Sequence, residues 1–196
     1  MAFAVDVSLA GHTDVTLGAV VENSKTVLQL IDNSSGTRIA GAFGGNDVFV
    51  LQSDTLNILG TSADERLVVD VASLQSLIGS KSALPSISIQ SGEGKDEVQV
   101  KTGTSSRAAW TLSSVTSGSA TASVGVELLD ANQSKLNSFA ISIVSVETLT
   151  GGEGTDALIG RNVDTEWDVA DEGAGAAYGL SFSGFDKIQG GSGLDT

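Results

Sequence analysis

Val146-Glu147-Thr148-Leu149-Thr150-Gly151-Gly152-Glu153-Gly154-Thr155-Asp156 is echoed 39 positions later by Phe185-Asp186-Lys187-Ile188-Gln189-Gly190-Gly191-Ser192-Gly193-Leu194-Asp195. Every Gly and Asp of the first line recurs in the second. Self-similarity at a fixed offset is the signature of a stacked architecture. In each copy an acidic residue and a branched apolar residue lead into a glycine turn, and an Asp closes it. Glycine supplies the positive φ that such a turn needs, and the Asp carboxylate accepts from nearby backbone amides to hold the corner. Between the copies lie the short apolar patches Ala157-Leu158-Ile159, Trp167-Asp168-Val169 and Tyr178-Gly179-Leu180-Ser181-Phe182, separated by Gly, Asn and Asp. Short strands split by glycine corners predict a solenoid of β-strands. The offset divides into two rungs of about 20 residues each.

Earlier stretches carry looser forms of the same line. Ile87-Ser88-Ile89-Gln90-Ser91-Gly92-Glu93-Gly94-Lys95-Asp96 is a good copy, Leu56 to Val69 a degenerate one and Ile39 to Leu51 a contracted one. Corners are expected near Gly45, Thr61, Gly92, Gly152 and Gly191, with insertions at some turns because the spacing is uneven. Val5, Val7 and Leu9, then Val15 and Leu17, alternate with small or polar residues, as do Phe139 to Val146. Residues 103–125, rich in Ser, Thr, Gly and Ala, fit two neighbouring short strands around Trp110-Thr111-Leu112. Leu74, Leu77 and Ile78 at helical spacing predict one short helix, with Ser73 as its N-cap, Gly79 as its stop and Pro85 beyond. In the tail, Leu149, Leu158, Trp167, Val169, Leu180, Phe182 and Ile188 are expected to face inward. Glu147, Glu166, Asp168 and Lys187 are expected to be exposed.

Composition narrows the function. The chain has 196 residues, 24 of them Gly, one Pro and no Cys, with 40% hydrophobic and 5% aromatic residues. The core must therefore be built from Val, Ile, Leu and Ala. Net charge is −14 and the ten basic residues are scattered, which excludes a phosphate-binding surface and with it nucleic acid. Without cysteine there is no disulfide scaffold, thiolate metal site or Cys nucleophile. No apolar run of about 18 residues predicts a transmembrane helix, so membrane insertion is not expected. Met1-Ala2-Phe3-Ala4 lacks the basic and apolar regions of a signal peptide. The sequence stops at Asp195-Thr196 in mid-motif, and the expectation is a segment of a longer protein.

The tail from Trp167-Asp168-Val169 through Gly179-Leu180-Ser181-Phe182-Ser183-Gly184-Phe185 to Asp195 resembles the repeat of very large exported bacterial surface proteins, the filamentous-haemagglutinin-like adhesins. Val146–Ile159 and Ile87–Val100 resemble the same repeat. The likeness is clearest over 140–196, looser over 56–100 and weakest in 1–40. It implies an all-β, right-handed parallel β-helix running as one elongated domain through 1–196. It further implies a secreted or cell-surface location and a structural or adhesive stalk without catalysis. The implied partners are further repeats of the same parent chain stacked end to end, and glycans or proteins of host or neighbouring cells.

Gly151-Gly152-Glu153-Gly154-Thr155-Asp156 also resembles the start of the calcium-binding RTX nonapeptide. That likeness implies calcium as a cofactor, with Asp96, Asp156 and Asp195 as candidate ligands, in an RTX-like export module. The RTX site needs tandem copies, whereas Gly160-Arg161-Asn162-Val163-Asp164-Thr165 places Arg161 and Val163 where glycine belongs. One carboxylate cannot supply the roughly six to eight oxygens calcium takes. The corner is therefore read first as structural, with calcium as the alternative.

A second alternative is a polysaccharide-acting enzyme on a β-helix. Asp164, Glu166, Asp168, Asp171 and Glu172 surround Trp167, but the first three lie at period two, as on the solvated face of a strand. Trp110 and Trp167 stand in Trp-x-apolar patterns and are read as core rather than sugar-stacking platforms. His12, the one histidine, lies in Gly11-His12-Thr13-Asp14 and is read as a turn residue.

Overall fold

A computed structural model describes residues 4–41, 48–50, 55–78, 86–116 and 118–196. The corner expected near Gly45, the stop at Gly79 and Pro85 lie outside the described residues. The first half contains β1 (Ala4–Ser8), β2 (Asp14–Glu22), β3 (Lys25–Asp32), β4 (Thr37–Arg38), β5 (Val48–Val50), β6 (Thr55–Leu59), β7 (Arg66–Asp70), α1 (Val71–Ile78), β8 (Ser86–Gln90) and β9 (Glu97–Lys101). The second contains β10 (Ser106–Thr116), β11 (Ser119–Leu129), β12 (Lys135–Val146), β13 (Thr148–Thr150), β14 (Thr155–Ile159), β15 (Trp167–Asp171), β16 (Ala174–Ala177), β17 (Leu180–Ser183) and β18 (Lys187–Gln189).

Among the described residues the chain is all-β apart from one helix, and it alternates between two sheets that share a core. The first sheet runs β1-β6-β8-β12-β11-β10-β14-β18, the second β15-β16-β17-β13-β9-β7-β2-β3-β4, with β5 also on β3. Both are mixed: nine ladders are parallel (β1·β6, β6·β8, β8·β12, β10·β14, β14·β18, β2·β7, β7·β9, β9·β13, β13·β17) and the other seven described are antiparallel. The expectation of a purely parallel stack is thus corrected. Antiparallel pairs enter where hairpins extend a sheet at β2–β3, at β10–β11–β12 and at β15–β16–β17. The two short strands expected over 103–125 are in fact the long strands β10 and β11 of such an insertion.

Period-two alternation puts one side chain in two into the core, and pairing register lines these up into columns. Across the first sheet Val5, Leu56, Ile87, Ile141, Val124, Trp110, Leu158 and Ile188 stand on successive paired strands. Across the second, Val15, Leu67, Val98, Leu149 and Phe182 do the same. All thirteen belong to the core or pack against it. Trp110 is fully buried, with its ring edge-on to Phe185 at 5.5 Å between centroids.

The structural repeat is not the 39-residue one. Corners stack at separations of 31 residues, as where the Lys95 amide donates to Asp64, and of 30, as where the Ser192 amide donates to Asn162. The two echoed lines turn at opposite edges. Gly151-Gly152 takes the chain from β13 in the second sheet to β14 in the first, whereas Gly190-Gly191 leaves β18 in the first. The likeness records a shared corner chemistry, and that chemistry serves both edges.

Three further expectations change. The N-cap of α1 is Asp70, whose Oδ1 accepts the Ser73 amide at 3.2 Å, because β7 runs straight into the helix and Asp70 is its last extended residue. Ser73 instead donates its hydroxyl to the Asp70 carbonyl at 2.8 Å. Leu149, Leu158, Leu180 and Phe182 are buried as expected, and Trp167 and Ile188 are partly buried against the core, but Val169 is 55% exposed. Val169 sits on β15, the rim strand of its sheet, opposite Gly175, which offers no side chain to pack on. Glu166, Asp168 and Lys187 are exposed, whereas Glu147 is half-buried for a reason given below.

Candidate functional site: the corner carboxylates

Chemistry-bearing side chains gather at the corners. At the edge where the chain leaves the first sheet, residues 60–65, 91–96 and 145–147 lie on one another. Parallel backbone bonds join them, Gly60 N–H to Gln90 O at 2.8 Å and Ser91 N–H to Val144 O at 3.0 Å. The layers touch closely enough that a Cβ on Gly60 would stand 1.8 Å from the Ser91 carbonyl oxygen. The acids of the second and third layers each reach back to the layer before. Asp96 Oδ1 accepts the Glu65 amide at 2.8 Å, and Glu147 Oε2 accepts the Asp96 amide at 2.9 Å. Glu65 turns its own carboxylate to the Thr61 amide, at 3.1 and 3.2 Å, and to the Thr61 hydroxyl. This role holds Glu147 half-buried.

Glu65, Asp96 and Glu147 thus form a column of three acids. Asp96 is buried, and its Oδ2 has no hydrogen-bond partner. Burial pushes the Asp96 carboxyl up to about 7; the Glu65 amide works against this, and the charges of Glu65 and Glu147 add to it.

The opposite edge repeats the device. Asp156, also buried, accepts the Thr102 hydroxyl at 2.7 Å and the Gly152 amide at 2.9 Å on Oδ2. Its own amide donates to Asp186 Oδ2 at 2.7 Å, and the Asp186 amide returns to the Asp156 carbonyl at 2.9 Å. Asp156 Oδ1 has no partner. Burial raises the Asp156 carboxyl above its ordinary value, the bonds from Thr102 and Gly152 oppose the shift, and the Asp186 charge adds to it. Asp156→Ala should therefore lower stability by about 2 kcal/mol, since two donors at a closed corner lose their acceptor. Asp156→Asn, which keeps one acceptor oxygen, should cost less. Urea unfolding with an unchanged m-value is the measurement.

The three calcium candidates are not brought together. Asp96 stands at one edge with Glu65 and Glu147, and Asp156 at the other with Asp186. Asp195 lies at the 190–196 corner, half-buried, 3.4 Å from Trp167 Nε1. Among the described residues no group of three or more His, Cys, Asp and Glu side chains is arranged to hold a metal ion. Sequence reading missed Glu65, Glu147, Thr102 and Asp186. The 31-residue spacing of Asp64-Glu65 and Lys95-Asp96 would have paired the first of these with Asp96.

The other candidates are structural in their contacts. Glu166 and Asp168 border an open depression with Ala176, Tyr178 and Gly179. Tyr178 is held by its hydroxyl on the Asp164 carbonyl and by the Arg161 guanidinium 4.9 Å from its ring centre. Asp164 accepts the Leu194 amide at 2.9 Å, a corner role like that of Asp64. His12 is half-buried, with Nδ1 2.6 Å from Asp32 Oδ2. The Ser34 hydroxyl, then His12, hold the Asp32 carboxyl well below the usual carboxylate range, which makes the group a clasp on the β3–β4 loop. On the outer face of the second sheet Arg66 joins Asp14 and Glu97, each at 3.3 Å, across three paired strands.

Comparison with protein-family models, with curated proteins and with solved structures found no match for this chain. Among the described residues no helix is long and apolar enough to cross a membrane.

Proposed function

We propose that the chain is a right-handed β-solenoid segment, its parallel ladders interrupted by antiparallel hairpins, serving as a non-catalytic stalk or adhesive spacer in a large exported bacterial surface protein. The observation that carries this reading is the unbroken apolar column from Val5 to Ile188, built on consecutive pairing of eight strands in one sheet. Such stacking makes stability additive along an axis, which suits a spacer whose output is reach rather than turnover. The inserted strands β12, β11 and β10 carry the column in register from β8 to β14, so they are part of the stack.

The partner in this reading is a further repeat. Val163, Val169 and Leu194 are 45%, 55% and 70% exposed, and the 190–196 corner already bonds in parallel fashion to 160–167. A following layer would cover these side chains and pair the free edge. A net charge of −14 opposes side-by-side contacts and favours the axial direction. The same location would present the outer faces to glycans or proteins of other cells.

Circular dichroism in excess chelator should retain the β signal, and scattering should report an elongated particle that lengthens with concentration. A chain that is unfolded in chelator and folds on adding calcium would replace this reading with the RTX-like export module. Turnover of an acidic polysaccharide would replace it with the enzyme.

A further inference from the structure

We propose that Glu65, Asp96 and Glu147 form a proton-operated lock, in which a proton held between Asp96 and Glu65 ties three stacked corners together and its loss loosens them. The inference needs only the corner geometry and stands apart from the stalk reading. Asp96 is almost completely buried, one of its oxygens already accepts the Glu65 amide, and the other has no donor. A buried carboxylate oxygen without a donor is costly, whereas a carboxylic acid at that position is itself a donor. The acceptor is the Glu65 carboxylate, which faces Asp96 from the preceding corner.

Among the described residues no cation at this corner bonds to Asp96. From the layer before, the facing charge is Glu65; from the layer after, it is Glu147. Along the Asp96 corner itself, Glu93 and Lys95 are exposed, and Glu97 is engaged by Arg66 and by the Thr150 hydroxyl. Arg66 meets Asp14 and Glu97 on the outer face. With Asp96 ionised, its charge stands between those of Glu65 and Glu147, and the Asp96 and Glu147 carboxylates are the acceptors that hold the corners to one another. Repulsion then acts on the bonds that register the corners, Glu65 N–H to Asp96 and Asp96 N–H to Glu147.

The folded chain keeps this proton where the unfolded chain, with an ordinary Asp, has lost it. The resulting stability is complete below the ordinary Asp range and disappears as pH rises through about 7.

The test is urea unfolding of the whole chain from pH 5 to 8.5, beside Asp96→Asn, an isostere of the protonated acid. The folding constant of the wild type should fall relative to that of Asp96→Asn as pH rises, by up to about tenfold per pH unit below pH 7. Asp156 titrates in both proteins and cancels in the ratio. Amide exchange should show the Glu65 and Asp96 N–H groups losing protection with pH in the wild type alone. Glu65→Gln, which removes a charge that helps to raise the Asp96 carboxyl, should shift the loss to lower pH and serves if Asp96→Asn fails to fold. Parallel pH profiles in wild type and variants would overturn the lock. So would calcium stabilisation at pH 7.5 that Asp96→Asn abolishes, because a metal ion would then occupy the column.

Discussion

Gly92→Ala should destabilise the protein by roughly 3 to 5 kcal/mol, among the largest losses available to one added methyl group. Two costs combine. Gly92 has φ of +103°, where an L side chain is strained, and its Cβ would stand 2.1 Å from the Thr61 carbonyl oxygen. That oxygen is fixed, because it accepts the Glu93 amide at 2.9 Å. Relief therefore requires the two corners to part, which breaks the neighbouring bond from Glu65 to Asp96 as well. Gly125→Ala is the control. Gly125 lies on the exposed face of β11, and the nearest atom to an added Cβ is 4.0 Å away. Alanine there should be neutral or stabilising by about 0.5 kcal/mol. Urea midpoints of the two variants moving together would refute the corner argument.

Trp110→Ala should cost about 4 kcal/mol, as expected for emptying a fully buried aromatic site. Trp110 bridges the inserted hairpin and the tail: Val124 and Leu158 flank it in the column, and Phe185 meets its edge. A cavity there undermines all three. Trp110→Phe should cost only about 1 to 2 kcal/mol, because it keeps most of the apolar volume and removes an indole N–H that has no acceptor. Unfolding followed by fluorescence suits this pair, since each variant leaves Trp167 as the one remaining indole. Equal losses for Ala and Phe would mean that the hydrogen-bonding environment of the indole, rather than packing, sets the energy.

The corners were the most legible part of the chain. Glycine and aspartate at fixed spacing have few other physical uses, and Asp96 and Asp156 hold turns as the pattern implies. Strand β12 was equally plain, because Ile141 and Ile143 alternate with Ala140, Ser142 and Val144. Strands β10 and β11 were obscure because three of their eleven buried positions are Ala108, Ala120 and Ala122 and a fourth is Ser106. Alanine inside and Ser, Thr or Gly outside give almost no contrast in hydropathy. The true layer spacing was hidden for another reason: a corner sequence says how the chain bends but not from which sheet it comes. The exposure of Val169 depends on what lies above the rim strand, information that no local pattern contains. The acid column escaped notice because Glu65 and Glu147 meet Asp96 only after layers of unequal length have been closed.

The inserted hairpin β10–β11–β12 sets the order in which the chain can assemble. Parallel neighbours such as Ile87 and Ile141 meet only after a long loop closes, and the entropy of that closure must be met before any contact is made. β10, β11 and β12 meet through short connections and present two finished edges, one to β8 and one to β14. Folding should therefore begin in the middle of the stack and advance toward both ends, each strand adding to a template already in place. Substitutions at Val124 should slow refolding, whereas those at the β1 or β18 ends should mainly hasten unfolding.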